Sequence, residues 1–245
     1  MNSHLEFLFD FFLVTARLGS MISVIPALGD ERISIRIRFA FCLVTAFLFA
    51  SILKAYMPKY STSPSILMYY IISEMLVGLS LGICVRIYFS AIFILGNIIS
   101  MQSGLSSALI YDPAQREQVL LFSSFISILA LAYVFTSDAH HYMIIGFTES
   151  YERFLPGIIL DPGDLANKIS DIVNSSFLIA FKISAPFLII GVAILIASGV
   201  LSRLMPTFQV FFVVTPAQIL IMFCVILVVI NDIVSIVLEN MMSVF

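Results

Sequence analysis

Met101-Gln102-Ser103-Gly104-Leu105-Ser106-Ser107-Ala108-Leu109-Ile110-Tyr111-Asp112-Pro113 interrupts an apolar chain with small and polar side chains and closes on Asp-Pro. Hydrocarbon satisfies neither exposed backbone groups nor hydroxyls. A segment of this kind at membrane depth must be buried in protein or line a watery cavity. A pore or a gate is therefore the first functional idea. Working outward, the run from Ile66 to Tyr111 carries only two charges, Glu74 and Arg86. At about 1.5 Å of rise per residue it is far too long for one crossing. Two spans would fit it, or one long helix leading into a re-entrant segment. The second is preferred, because Asn97, Ser100, Gln102, Ser103, Gly104, Ser106 and Ser107 suit a lipid-facing helix poorly.

Composition fixes the class. The chain has 245 residues, of which 61% are hydrophobic and 11% charged; a soluble domain carries about 25% charged residues. Several uncharged stretches reach or approach the roughly 20 residues that cross a hydrocarbon core. The short alternating segments of a transmembrane β-barrel are missing. The expected fold is all-α: a polytopic helical membrane protein of about six apolar helices, with a re-entrant, Gly/Ser-rich, plug-like segment. Glu6 and Asp10 stand where a signal peptide would carry basic residues, so the first apolar segment is expected to remain as a span. A net charge of −3 offers no basic surface to nucleic acid. Cys42, Cys84 and Cys224 lie inside apolar runs and read as small buried hydrophobes.

The expected spans are Phe7 to Leu28, Ile37 to Met57, the long run from Ile66, Val119 to Phe135, Ile172 to Leu201, and Phe208 to Ile230. The longest hydrophilic region runs from Ser137 to about Asp171, with turns at Leu155-Pro156-Gly157 and Asp161-Pro162-Gly163. Pro186 should kink the fifth span. Pro206 and Pro216 bracket the start of the last one. Basic residues divide almost evenly between the two sets of loops. The early Arg32, Arg36 and Arg38 cluster favours an outside N-terminus.

Glu74, Gly78, Gly82, Arg86 and Ser90 recur every four residues, as do Gly96, Ser100, Gly104 and Ala108. Small residues at this spacing let helix backbones approach closely in a membrane. The contact is either packing within the chain or contact with neighbouring subunits around a pore. Charges inside spans are expensive and are usually paired or turned to a cavity. Asp10, Arg17, Glu74, Arg86 and Lys182 are of this kind, with Arg17 and Glu74 the best pair for joining two helices. His140-His141 is adjacent in sequence and has no Cys or carboxylate completing a ligand pattern, so no metal is expected. A Gly-rich phosphate loop, a nucleophile elbow and a helical metalloprotease motif are all missing. Neither catalysis nor a cofactor is expected.

Glu74-x-x-x-Gly78-x-x-x-Gly82 followed by Gln102-x-Gly104-Leu105-Ser106-x-Ala108-x-x-x-Asp112-Pro113 resembles the central signature of the FliR family of flagellar export-gate proteins. Phe154-Leu155-Pro156 and Arg203-x-x-Pro206-x-x-x-Val210-Phe211-x-x-x-x-Pro216 follow in the family's order and spacing. The resemblance runs from Pro26 to beyond Pro216. It departs at Thr207, Val214 and Ala139, where the family tends to have Gln, Gly and Gly.

The resemblance implies one FliR-like export-gate membrane domain over residues 1–245. It implies a pore-forming structural subunit of the flagellar type III export gate in the bacterial inner membrane, at the flagellar basal body. FliP-like, FliQ-like and FlhB-like proteins would be its partners and unfolded exported polypeptides its cargo. Gln102, Gly104, Leu105, Ser106, Ala108, Leu109, Ile110, Asp112 and Pro113 would form the channel plug. Glu74, Gly78, Gly82, Arg86, Gly96, Arg203 and Pro206 would serve helix packing or partner contact. The alternatives are the equivalent subunit of a virulence secretion system, or a small-molecule or ion transporter. A transporter should show inverted halves with paired broken helices, and no such symmetry is evident.

Overall fold

Backbone groups in hydrocarbon have only each other to bond, so long uncharged runs fold as helices. The computed structural model describes residues 2–26, 29, 33–60, 63–105, 109–112, 117–158, 161–205 and 209–242. Among these are seven α-helices: α1 (Asn2–Val24), α2 (Ile35–Ile52), α3 (Pro64–Gln102), α4 (Leu121–Thr136), α5 (Ala139–Arg153), α6 (Pro162–Leu204) and α7 (Val210–Met242). A 3₁₀ turn, Leu53–Tyr56, extends α2. Two short strands, β1 (Leu109–Asp112) and β2 (Glu117–Leu120), lie between α3 and α4.

Among the described residues five helices are long and apolar enough to cross a membrane, or six if α4 and α5, bent by 73° from one another, count as one broken span. This is the all-helical, multi-pass class expected from composition. The run after Ile66 is one helix of 39 residues, and α6 has 43. At about 1.5 Å per residue they are about 58 and 64 Å long, roughly twice the 30 Å hydrocarbon core.

Several boundaries depart from the sequence expectation. The hydrophilic region after Ser137 holds a helix, α5. Its buried residues Met143, Phe147, Ser150 and Tyr151 follow helical spacing, but polar neighbours on the other face hide that stripe. The fifth span begins ten residues early. Asp161 accepts from Gly163 N through its side chain (3.1 Å) and from Leu165 N through its carbonyl (3.0 Å). Pro162 then takes the first helical position, where a missing N–H costs nothing. Pro186 lies inside α6. Pro216 lies inside α7 rather than at its start, and α7 continues through Asp232 and Glu239.

Contacts divide the chain into two units, Met1–Ile87 with Ser137–Val173 and Asn240–Phe245, and Tyr88–Thr136 with Asn174–Glu239. The first is built around α1, which buries Leu13, Val14 and Ile22 and sets Phe7 against Phe47 of α2, ring centroids 5.4 Å apart. In the second, α4 buries Phe122, Ile126, Ala130 and Val134 as a four-residue stripe. Phe122 meets Phe223 of α7 at 4.8 Å. Apolar side chains also cover the outside: Leu227 and Val228 are 73% and 79% exposed. Such a surface belongs in lipid or against protein.

Candidate functional site

The polar segment that follows Met101 begins where α3 stops. Ser103 N donates to the Ile99 carbonyl (2.8 Å) and Ser103 Oγ to the Ser100 carbonyl (2.9 Å). Leu105 N reaches Ser103 Oγ at 3.4 Å. Gly104 turns the chain with φ +77°, a left-handed value that side-chain-bearing residues avoid. The chain then forms an antiparallel ladder pairing Leu109 with Leu120, Ile110 with Val119, Tyr111 with Gln118 and Asp112 with Glu117. No strand was expected here. Four-residue strands fall below what periodicity detects, and their identity depends on the partner strand.

Three helices of the same unit pack against the C-terminal end of α3, where this segment begins. Gln218 Nε2 of α7 donates to the Gln102 carbonyl oxygen. On α6, a Cβ added to Gly191 would stand 3.0 Å from both Cβ and Cδ of Gln102. One turn before the end of α3, Ser123 Oγ of α4 bonds Asn97 Oδ1 at 2.5 Å. Gly96 allows that approach, because a Cβ there would lie 2.5 Å from Ser123 Cα. Ser100 is fully buried, and its Oγ has no hydrogen-bond partner among the described residues.

The first unit contains a different polar site. Arg17 of α1 is fully buried, as is Glu74 of α3. Arg17 Nε donates to Glu74 Oε2 (2.7 Å) and Nη2 to Oε1 (2.8 Å), a two-pronged pair. Nη2 also reaches the Phe154 carbonyl (2.7 Å), and Nη1 reaches Ser150 Oγ (3.1 Å). The Arg17 guanidinium carbon stands 3.7 Å from the Tyr151 ring centroid, and Tyr151 Oη donates to Glu74 Oε2 (3.2 Å). The cluster joins α1, α3 and α5. A buried pair survives when its remaining donors and acceptors are satisfied, and here the surrounding groups do that.

The four-residue row on α3 brings these helices together. A Cβ at Gly78 would come within 3.0 Å of the Arg17 backbone, and one at Gly82 would be 3.0 Å from the Met21 carbonyl. Glu74, Gly78 and Gly82 thus follow α1 from Arg17 to Met21. The second row ends early: Gly96 and Ser100 are helical, Gly104 lies beyond the end of α3, and Ala108 falls outside the described residues. Ser106, Pro113 and Pro206 fall outside them as well. Arg86 and Lys182 are exposed on α3 and α6, and Arg203 is exposed at the end of α6.

The histidine pair has a neighbour that the sequence reading discounted. Asp138, His140 and His141 present donor atoms within 4.8 Å of one another. Asp138, at φ 56°, turns the chain so that its carboxylate lies 3.8 Å from His141 Nδ1. Asp138 and His141 are largely open to solvent, which competes for any ion held there. Ser150, Tyr151, Gln218 and Gly191 were not singled out from sequence. The five-donor guanidinium of Arg17 was itself the signal that further acceptors must be near.

A family model described as "Bacterial export proteins, family 1" matches residues 8–244. The chain is 31% identical over 208 residues to the flagellar biosynthetic protein FliR of Caulobacter vibrioides, covering 85% of this chain and 83% of that one. It is 31% identical over 248 residues to FliR of Bacillus subtilis, covering 99% and 94%. FliR of Aquifex aeolicus is 27% identical over 218 residues, covering 87% and 82%.

Proposed function

We propose that this chain, which belongs to the FliR family of bacterial export proteins, is a pore-forming structural subunit of the flagellar type III export gate. The observation that carries this reading is the polar, Gly- and Ser-containing turn and hairpin that separate the apolar helices α3 and α4. A closed pore must exclude ions yet yield to a passing polypeptide. Gly104, Ser106 and Ala108 are small enough for backbones to close a lumen. Leu105, Leu109 and Ile110 supply an apolar constriction that resists wetting. Gln102 opens the plug segment and Asp112-Pro113 ends its first half, since a residue before proline is biased away from helix.

Glu74, Gly78, Gly82 and Gly96 pack the helices that carry this segment, and Arg86, Arg203 and Pro206 serve contact with partner subunits. An exposed Arg86 midway along α3 is expensive in lipid and suits a protein or solvent neighbour. The partners are FliP-like, FliQ-like and FlhB-like membrane proteins, and the complex passes unfolded polypeptides across the bacterial inner membrane. Helices α3 and α6, each about twice a bilayer crossing, suit a helical array partly lifted out of the bilayer. Residues 1–245 work as one export-gate domain whose two units share these helices. The flagellar assignment over a virulence one is supported by the relatives' names, each a flagellar biosynthetic protein.

Deleting Gly104 to Gln115 tests the plug. In cells carrying the chain with its cognate partners, the deletion should raise ion leak, read with a membrane-potential dye. Unchanged conductance in an assembled gate would refute the plug. Mild detergent extraction should bring FliP-like and FliQ-like chains with this one. Purification alone or as a homo-oligomer would instead favour a transporter.

A further inference from the structure

We propose that Asp138, His140 and His141 form a binding site for one divalent transition-metal ion, of the zinc, copper or cobalt class, in the turn that leads into α5. The three residues present ligand atoms within 4.8 Å of one another, and Asp138 Oδ1 lies 3.8 Å from His141 Nδ1. Two ligands of one zinc ion, each bonded at about 2.0–2.2 Å, stand at most about 4.2 Å apart. The carboxylate–imidazole contact already meets that limit, and no pair exceeds it by more than about 0.6 Å. Side-chain rotation closes such a gap, since the Asp138 and His141 side chains are 75% and 62% exposed. None of the three belongs to the Arg17 cluster or to the segment after α3.

Adjacent residues of a helix do not face each other, which is why a histidine pair alone makes a poor chelate. Here the two imidazole centroids are 4.3 Å apart, with planes 32° from one another. The backbone brings in the third ligand. Among the described residues Asp138 alone of the non-glycines has a positive φ, 56°, a conformation that Asp enters more readily than most residues. Asp138 is the N-cap of α5, yet its side chain makes no capping hydrogen bond. An N-cap Asp ordinarily accepts from an amide of the first turn. This carboxylate is turned toward His141 instead.

The donor set fixes the class of ion. Imidazole suits zinc, copper and their neighbours, whereas magnesium and calcium take oxygen ligands. Three protein ligands leave a coordination position for water or for a group from a neighbouring chain. Solvent competes for the ion, and the positive end of the α5 dipole opposes it, so the affinity is modest. A bound ion ties the residue before α5 to the first turn of that helix and stabilises the turn by mass action.

The test titrates Co²⁺ into the full chain, extracted with its partners in mild detergent, carrying a histidine-free tag and stripped with chelator. Uptake is read by the visible absorption of the imidazole-bound ion. His141→Gln and Asp138→Asn should each weaken it by about tenfold or more, since even an outer partner of a metal ligand is worth that much. The double change of His140→Gln with His141→Gln should abolish the uptake that belongs to this chain. His4→Gln, at the third histidine, should leave it unchanged. Zn²⁺ should displace the cobalt and excess Mg²⁺ should not. No uptake by the unmutated complex, or equal uptake by the double variant, overturns the site. Full affinity in Asp138→Asn reduces it to two exposed imidazoles and also overturns it. A second measurement needs no variant. Zn²⁺ should shield His140 and His141, and not His4, from modification by diethyl pyrocarbonate, read by mass spectrometry; equal labelling with and without zinc refutes the proposal.

Discussion

The first unit buries Asp10, Arg17 and Glu74, whereas every buried polar residue of the second unit, among those described, is a serine. Around Arg17, four hydrogen bonds and an aromatic face enclose one guanidinium. Around Gln102, one amide and one notch, at Gly191, do the holding, and Ser100 Oγ nearby has no hydrogen-bond partner among the described residues. Removing one member of a buried ion pair costs about 3–5 kcal/mol. Removing a neutral hydrogen bond costs about 1 kcal/mol. The contrast teaches how differently two polar sites in one apolar chain are fastened: one by paired charge, the other by neutral hydrogen bonding and close packing.

The largest expected effect comes from splitting the pair. Arg17→Ala strands the Glu74 carboxylate and should lower stability by about 3–5 kcal/mol, with the chain lost from membranes and swimming abolished. Replacing both, as Arg17→Met with Glu74→Met, should recover most of the membrane abundance, because apolar substitutes often match a buried pair. Equal damage from the single and double changes would mean that charge compensation is not what the cluster provides. Gly78→Val comes next. It drives a branched side chain into the Arg17 backbone and should cost about 1–3 kcal/mol as overpacking, read as a lower melting temperature in detergent. A tolerated valine would show that α1 and α3 need no close approach to bring Arg17 to Glu74. The smallest effect sharpens the other side of the contrast. Ser100→Ala removes a buried hydroxyl that has no hydrogen-bond partner among the described residues and should stabilise by about 1 kcal/mol. Destabilisation would reveal a partner for Ser100 Oγ.

Much of the framework was legible before any coordinates. The charge-poor run after Ile66 was expected as one long helix leading into a polar segment, and α3 ends at Gln102. Arg17 and Glu74 were the expected pair, since two charges in apolar spans have few other ways to be tolerated. The helix after Ser137 was not legible, because its buried stripe is spread through a polar composition that reads as loop. Nor was the role of the small residues divisible in advance. Spacing alone does not say whether Gly78 and Gly96 meet this chain or another, and both meet this chain's own helices.

Helical class, membrane character and the position of the polar break followed from composition and period alone, because solvation and backbone bonding act on every residue locally. The tertiary structure decided what surrounds each polar group: Ser150, Tyr151 and the Phe154 carbonyl around Arg17, and Gln218 and Gly191 at Gln102. These partners lie more than fifty residues apart in the chain. Which of many chemically equivalent amides and hydroxyls comes within bonding distance depends on how helices pack, and no local pattern encodes that.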